Sequence, residues 1–230
     1  MKESDREYVF TSLSRLCQSL ISEAEVLCEL IDDDGDFDSV VRHISSIEDE
    51  ADNIIHEIQY YYQENRLFRD PDCMMIYDIG MAVEACTDLI YDIAKTFIRL
   101  NIYEVKDNIV SSFMSAGSGA VKMAELMNRL RRMNKADTPI KDLIELDHYS
   151  VEYKKIYELN MKKLYVDGTD PLEVMRWTAV YDAFKKLFEG YEAVAETCVY
   201  HRKELSCLQI GLEYAHFCSE APLVDLCFST

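Results

Sequence analysis

Apolar residues recur along nearly the whole chain at a spacing close to the 3.6-residue repeat of an α-helix. Only 7 glycines and 4 prolines interrupt its 230 residues, which favours long helices over many short strands. The pattern predicts an all-α fold with six long helices. They are expected over residues 5–31, 37–65, 71–103, 105–134, 138–165 and 171–202. A shorter segment at 203–216 is expected either to extend the sixth helix or to form a seventh.

Two similar breaks divide the chain into halves that resemble each other. The segment "LFRDPD" places Asp70 as an N-cap and Pro71 at the first position of the third helix. The segment "LYVDGTDP" ends the fifth helix and starts the sixth in the same way, about 100 residues later. We therefore expect a single helical domain that contains two three-helix bundles and is followed by a tail. The domain covers 1–216, with halves at 5–103 and 105–202, and the tail covers 217–230.

The charge of the chain argues against several kinds of partner. Its 43 acidic and 24 basic residues give a net charge of −19, which disfavours binding to nucleic acid or to anionic membrane surfaces. No run reaches the roughly 20 apolar residues of a membrane span, so direct membrane insertion is not expected. The charged start of the sequence has no apolar signal-peptide core, and its eight cysteines contain no CxxC pair. These features favour a cytoplasmic protein with buried free thiols.

Acidic residues cluster on one flank of two helices. In the second helix, the stretch "IEDEADNIIHEI" places Glu48 and Asp52 one turn apart beside the apolar stripe. The third helix repeats the arrangement with Glu84 and Asp88, and Asp92 follows one turn later. If the two helices pack side by side, these acidic edges are expected to meet.

Such an arrangement has two interpretations. Like charges one turn apart are destabilising by a few tenths of a kcal/mol, and a bound cation would offset this repulsion. Carboxylates without nitrogen or sulfur donors suit divalent ions such as Mg²⁺, Ca²⁺ or Mn²⁺, or iron, and leave the identity of the metal open. The simpler interpretation is a solvated helix face, since a chain with 43 acidic residues contains such pairs by chance.

Several segments resemble the PhoU-like family of phosphate-transport regulators, in particular its branch associated with Pit-type phosphate permeases. They are "IEDEADNIIHEI", "EACTDLIYDIA" and "LYVDGTDPLEVMRWTAVYDAFKKLFEGYEAVAE", and the resemblance extends over residues 10–203. The family implies six helices in two three-helix bundles. It also implies an E/D-xxx-D motif on two helices of each bundle, where members bind iron or other metal clusters.

The two halves match this motif unequally. The resemblance implies that Glu48, Asp52, Glu84 and Asp88 are metal ligands of the first half. In the second half, the sixth helix carries Lys185 and Glu189 at the motif, and a lysine opposes cation binding. Further candidate ligands are Asp92, Asp147 and Glu189. The register of the fifth helix stays open between three pairs: Asp147 with Val151, Glu145 with Tyr149, and His148 with Glu152.

The resemblance implies a non-enzymatic, cytoplasmic accessory or regulatory protein of inorganic phosphate transport. Its expected partner is a phosphate permease or a signalling protein, and a homodimer or a higher oligomer is also expected. One alternative is a ferritin-like di-iron enzyme, which would use Glu145-x-x-His148 and Glu213-x-x-His216. Another is a metal-free interaction module that docks through "YYYQ" at 60–63, although packing of these tyrosines along the bundle is the simpler interpretation.

Overall fold

The computed structural model describes residues 2–31, 36–132, 139–167 and 170–200. These residues form six long α-helices without a strand, which confirms the predicted all-α class. None of the described helices is both long enough and apolar enough to cross a lipid bilayer. The segments predicted at 203–216 and 217–230 lie outside the described residues. The helices are α1 (Glu3–Cys28), α2 (Phe37–Glu64), α3 (Pro71–Arg99), α4 (Asp107–Arg132), α5 (Ile140–Asp167) and α6 (Pro171–Tyr200).

The start of α3 agrees with the sequence, whereas its end does not. The side chain of Asp70 accepts hydrogen bonds from the backbone N–H groups of Asp72, at 2.9 Å, and Cys73, at 3.3 Å. The helix ends at Arg99 rather than at the predicted 103, because Asn101 adopts a left-handed conformation with φ of 51°. The backbone N–H of Asn101 donates to Ile98, and that of Ile102 donates to Phe97, which is the Schellman pattern that ends a helix.

The halves pack through a shared interior. Helices α1, α2 and α3 all contact one another, and α5 packs on both α4 and α6. Across the halves, α1 packs on α4 and α3 packs on α6, so α2 and α5 lie on the outside. Arg6 at the start of α1 donates hydrogen bonds to the carbonyl oxygens of Leu130 and Arg131 at the end of α4. The two helices therefore run antiparallel. At the other end, the Cys28 thiol donates to the Phe113 carbonyl at 3.7 Å.

Aromatic rings fill the interior between the halves. Phe97 of α3 packs on Phe113 of α4, with ring centroids 6.0 Å apart, and on Trp177 of α6 at 6.5 Å. Phe113 also packs on Phe184 of α6 at 4.9 Å. Since all four rings are buried, their burial supplies much of the free energy that holds the halves together.

Two glycines of α4, Gly117 and Gly119, have different surroundings. A Cβ atom at Gly119 would overlap the ring of Tyr191, whereas one at Gly117 would meet nothing within 4 Å. Tyr191 cannot retreat easily, since it is fully buried and its hydroxyl donates to the carbonyl of Ala116 at 2.7 Å. Close packing is therefore present at Gly119 but not at Gly117.

The tyrosines of "YYYQ" mostly pack against the bundle. Tyr62 is fully buried and donates a hydrogen bond to the Cys73 carbonyl at 2.9 Å. Tyr61 stacks on Tyr8, with ring centroids 3.9 Å apart. Only Tyr60 is exposed, so this stretch offers a single tyrosine rather than a broad docking patch.

The two glycines give a matched test of the packing between α4 and α6. We expect Gly119→Ala to lower the free energy of unfolding by about 1–3 kcal/mol, because the added methyl displaces a buried ring. Gly117→Ala should raise it by about 0.5–1 kcal/mol, because alanine is the better helix former and the position is open. Urea unfolding followed by circular dichroism measures both changes. Equal effects at the two positions would contradict the packing described for Tyr191.

Candidate metal centre

The acidic edges of α2 and α3 face each other. The Glu84 carboxyl group lies beside that of Asp52, and the Glu48 carboxyl group lies beside that of Asp88, so a proton on either glutamate is donated to the aspartate that faces it. Asp52 lies one turn after Glu48 in α2, whereas its partner Glu84 lies one turn before Asp88 in α3. The two helices therefore run antiparallel. The four residues predicted from the flanks of the two apolar stripes are thus brought together in pairs across the α2–α3 contact.

Three of these carboxylates lie close enough to share one ion. One oxygen each from Glu48, Asp52 and Asp88 can be chosen so that all lie within 4.8 Å of one another. Cations such as Mg²⁺ and Ca²⁺ hold oxygen ligands at about 2.0–2.6 Å, so ligands on opposite sides are about 4–5 Å apart. Glu48 and Asp52 are half-buried and Asp88 is exposed. Glu84 is not one of the three but lies beside them through its contact with Asp52.

Burial and mutual repulsion raise the pKa values of three carboxyl groups in this cluster. Burial raises the pKa of Glu84 to about 7, with further contributions from the charge of Asp88 and the hydrogen bond to Asp52. Burial is also the main reason that the pKa values of Glu48 and Asp88 are raised, and in both cases the charge of Asp52 adds to it. Glu48, Glu84 and Asp88 therefore do not all ionise easily beside Asp52 unless a positive charge joins them.

One lysine lies at the edge of the cluster. Lys95 forms an ion pair with Asp92 at 3.0 Å and lies 3.9 Å from the centre of the Tyr91 ring. Its charge lowers the pKa of both Glu48 and Asp88, against the larger effects that raise them. Asp92, a further candidate ligand, is exposed and paired with this lysine rather than turned into the group of three.

Sequence reasoning missed a fifth carboxyl group in this region. Glu23 of α1 is fully buried, and among the described residues neither of its carboxyl oxygens has a hydrogen-bond partner. Burial, followed by the charges of Glu48 and Asp88, raises its pKa to about 9. The available signal was its register, since Glu23 follows Leu16 and Leu20 and precedes Leu27 along the buried side of α1. A glutamate at a core position of an amphipathic helix is rare unless it has a partner.

In the second half, basic side chains neutralise the carboxylates of α5. Lys122 of α4 forms ion pairs with Glu145 and, at 3.6 Å, with Asp142. Arg129 pairs with the same buried Asp142 at 3.1 Å. The bond to Glu145 is the main reason that the pKa of Lys122 is raised, and the same bond lowers the pKa of Glu145. The lysine thus supplies a permanent positive charge between α4 and α5.

The second-half candidates do not converge on an ion site. Glu189 lies 3.9 Å from Lys185, which also lies 5.0 Å from the centre of the Tyr157 ring. Asp147 is buried on α5, and its charge contributes to the raised pKa of Lys154. Within the described residues, neither Asp147 nor Glu189 belongs to a group of acidic, histidine or cysteine side chains that could hold a metal.

The buried glutamate makes stability depend on pH. The pKa of Glu23 rises from 4.5 to about 9 on folding, so the folded chain binds a proton that the unfolded chain releases. Without a bound cation, the free energy of unfolding should therefore be highest below pH 4.5 as far as Glu23 is concerned, and should fall as the pH rises toward 9. Glu23→Gln, which is neutral throughout, should remove most of this slope and stabilise the fold at pH 8 by up to about 5 kcal/mol.

Urea unfolding at a series of pH values in the presence of a chelator measures this slope. Glu25→Gln is the matched control, because Glu25 is exposed on the same helix and should leave the slope unchanged. A native slope in the Glu23→Gln protein would contradict the buried position of Glu23.

Comparison of the chain with models of protein families and with curated proteins gave no match. The resemblance to PhoU-like proteins therefore stays an expectation from the quoted motifs. The geometry of the acidic cluster is the independent support for a functional proposal.

Proposed function

We propose that this chain is a metal-binding, non-enzymatic regulatory protein of inorganic phosphate transport of the PhoU-like kind. The observation that carries the proposal is the convergence of Glu48, Asp52 and Asp88, whose ligand oxygens lie within 4.8 Å of one another. An all-carboxylate set suits Mg²⁺, Mn²⁺, Ca²⁺ or iron rather than a structural zinc ion. Glu48, Asp52 and Asp88 would hold the cation, with Glu84 beside them.

The effect of such an ion would be structural. Its charge would offset the repulsion between the acidic edges, and its ligands come from both α2 and α3. Binding would therefore stabilise the contact between these helices, and the stability of the first half would depend on the cation concentration. This dependence gives a regulatory protein a way to respond to conditions in the cytoplasm.

Surface charge supports a membrane-protein partner for the proposed role. The chain carries a net charge of −19, whereas the cytoplasmic loops of membrane proteins carry an excess of lysine and arginine. An acidic protein in the cytoplasm is therefore suited to bind the inner face of a phosphate permease, by electrostatic complementarity.

The di-iron enzyme alternative has less support from the described residues. Its Glu145 is held by Lys122, and its His148 is half-exposed and lies 3.5 Å from Glu152. Neither side chain projects into a core shared with Glu48 or Glu84, as a ferritin-like site requires. Glu213 and His216 lie outside the described residues.

Binding of Mn²⁺, measured by calorimetry, tests the cation site. The double variant Asp52→Asn/Asp88→Asn should bind Mn²⁺ at least about 10-fold more weakly than the native protein, because it removes two of the three converging carboxylates. The control Glu50→Gln/Glu64→Gln removes the same charge from exposed positions of α2 and should retain the native affinity. Equal affinities in all three proteins would exclude the proposed cation site.

The transport role requires a measurement in cells. We expect loss of this protein to change the rate of radiolabelled phosphate uptake, and we expect the native chain to restore it. The Asp52→Asn/Asp88→Asn variant should restore uptake poorly, while Glu50→Gln/Glu64→Gln restores it fully. An uptake rate that does not respond to the presence of the protein would contradict the role in phosphate transport.

A further inference from the structure

Glu23 is placed unlike the other carboxyl groups of the first half. It lies on α1, which contributes none of the residues selected by the acidic flanks, and none of its surface is exposed. Neither carboxyl oxygen has a hydrogen-bond partner within the described residues. Leaving a buried carboxyl group without a partner is strongly destabilising if it is charged. Such a group in a well-packed helix requires an explanation.

The surroundings of Glu23 locate it at the inner side of the acidic cluster. The charges of Glu48 on α2 and Asp88 on α3 both act on its carboxyl group. In turn, its charge acts on the buried Cys86 thiol of α3 and the buried Tyr191 hydroxyl of α6. Glu23 therefore lies where α1 meets the other two helices of its half, on the side that faces the second half.

Nothing basic is placed to neutralise this carboxyl group among the described residues. No ion pair joins Glu23 to a lysine, arginine or histidine of the described chain, and no charge that lowers its pKa acts on it. Lys95 acts on Glu48 and Asp88 but not on Glu23. A cation held by Glu48 and Asp88 is the positive charge that this position lacks.

We propose that Glu23 is an additional ligand of the cation, which it binds from the buried side while Glu48, Asp52 and Asp88 bind from the outer side. This proposal rests on the cation site proposed above and extends it from two helices to three. The Glu23 oxygens lie outside the group of three oxygens that are within 4.8 Å of one another, so the Glu23 side chain would turn toward the ion on binding. The ion would join α1 to the α2–α3 pair. Because α1 also packs on α4, occupancy would reach the contact between the halves. The ligand set becomes four carboxylates, which favours a hard cation bound with few water molecules.

Mn²⁺ tests this proposal because it reports both its affinity and the water molecules it retains. Glu23→Gln should weaken Mn²⁺ binding at least about 10-fold. At saturating Mn²⁺, the water-proton relaxation rate per bound ion should be higher in Glu23→Gln than in the native protein, since water replaces the lost carboxylate. A merely structural role for Glu23 would not change the number of coordinated waters. Glu25→Gln, at an exposed position of the same helix, should match the native protein in both measurements.

The outcomes separate the two proposals. If Asp52→Asn/Asp88→Asn loses Mn²⁺ binding while Glu23→Gln keeps native affinity and relaxation, the outer site stands and the role of Glu23 is refuted. If Asp52→Asn/Asp88→Asn binds Mn²⁺ as the native protein does, the site itself is refuted. Urea unfolding of metal-free Glu23→Gln checks that the fold is retained. If that variant did not fold, Glu23→Asp would replace it, and native affinity in Glu23→Asp with unchanged relaxation would refute direct binding, because its shorter side chain withdraws the oxygens.

Discussion

The first half of the molecule depends on the contact between α2 and α3, which holds like charges together. Ile44, Ile55 and Ile58 of α2 and Ile79, Val83 and Ile90 of α3 are all buried. Burying each such side chain is worth about 1.5–3 kcal/mol, which far exceeds the few tenths of a kcal/mol of repulsion within each acidic ladder. The burial of the apolar stripes therefore determines how the helices pack. The carboxylates are held close together as a result, despite their repulsion. Burial at this contact, and then the charges of the neighbouring carboxylates, raise the pKa values of Glu48, Glu84 and Asp88.

Much of this arrangement could be predicted from the sequence, because it follows from periodicity. Six helices, the buried stripes of α2 and α3, and the flanks that carry Glu48 and Asp88 all depend on the 3.6-residue repeat. The N-cap at Asp70 could be predicted because Asp-Pro is a strong local signal. The end of α3 was predicted four residues too late, although asparagine, like glycine, is often the left-handed residue that ends a helix and Asn101 has this role.

The burial of Glu23 on α1 was not predicted from the sequence, for a different reason. Periodicity places Glu23 on the buried side of α1, but a glutamate there can also be a helix residue whose carboxyl group reaches solvent. Only the packing of two further helices around α1 encloses it. Similarly, the sequence shows that Gly117 and Gly119 are close together on one helix, but not which of them faces the Tyr191 ring.

The repulsion between clustered carboxylates is offset differently in the two halves. In the second half, Lys122 is covalently attached and stays beside Glu145 and Asp142 at every ion concentration. In the first half, the corresponding positive charge would come from a cation that binds reversibly. A chain built in this manner would carry one ion rather than two. Its second half would act as a fixed internal reference, against which the first half changes as the cation supply of the cell rises and falls.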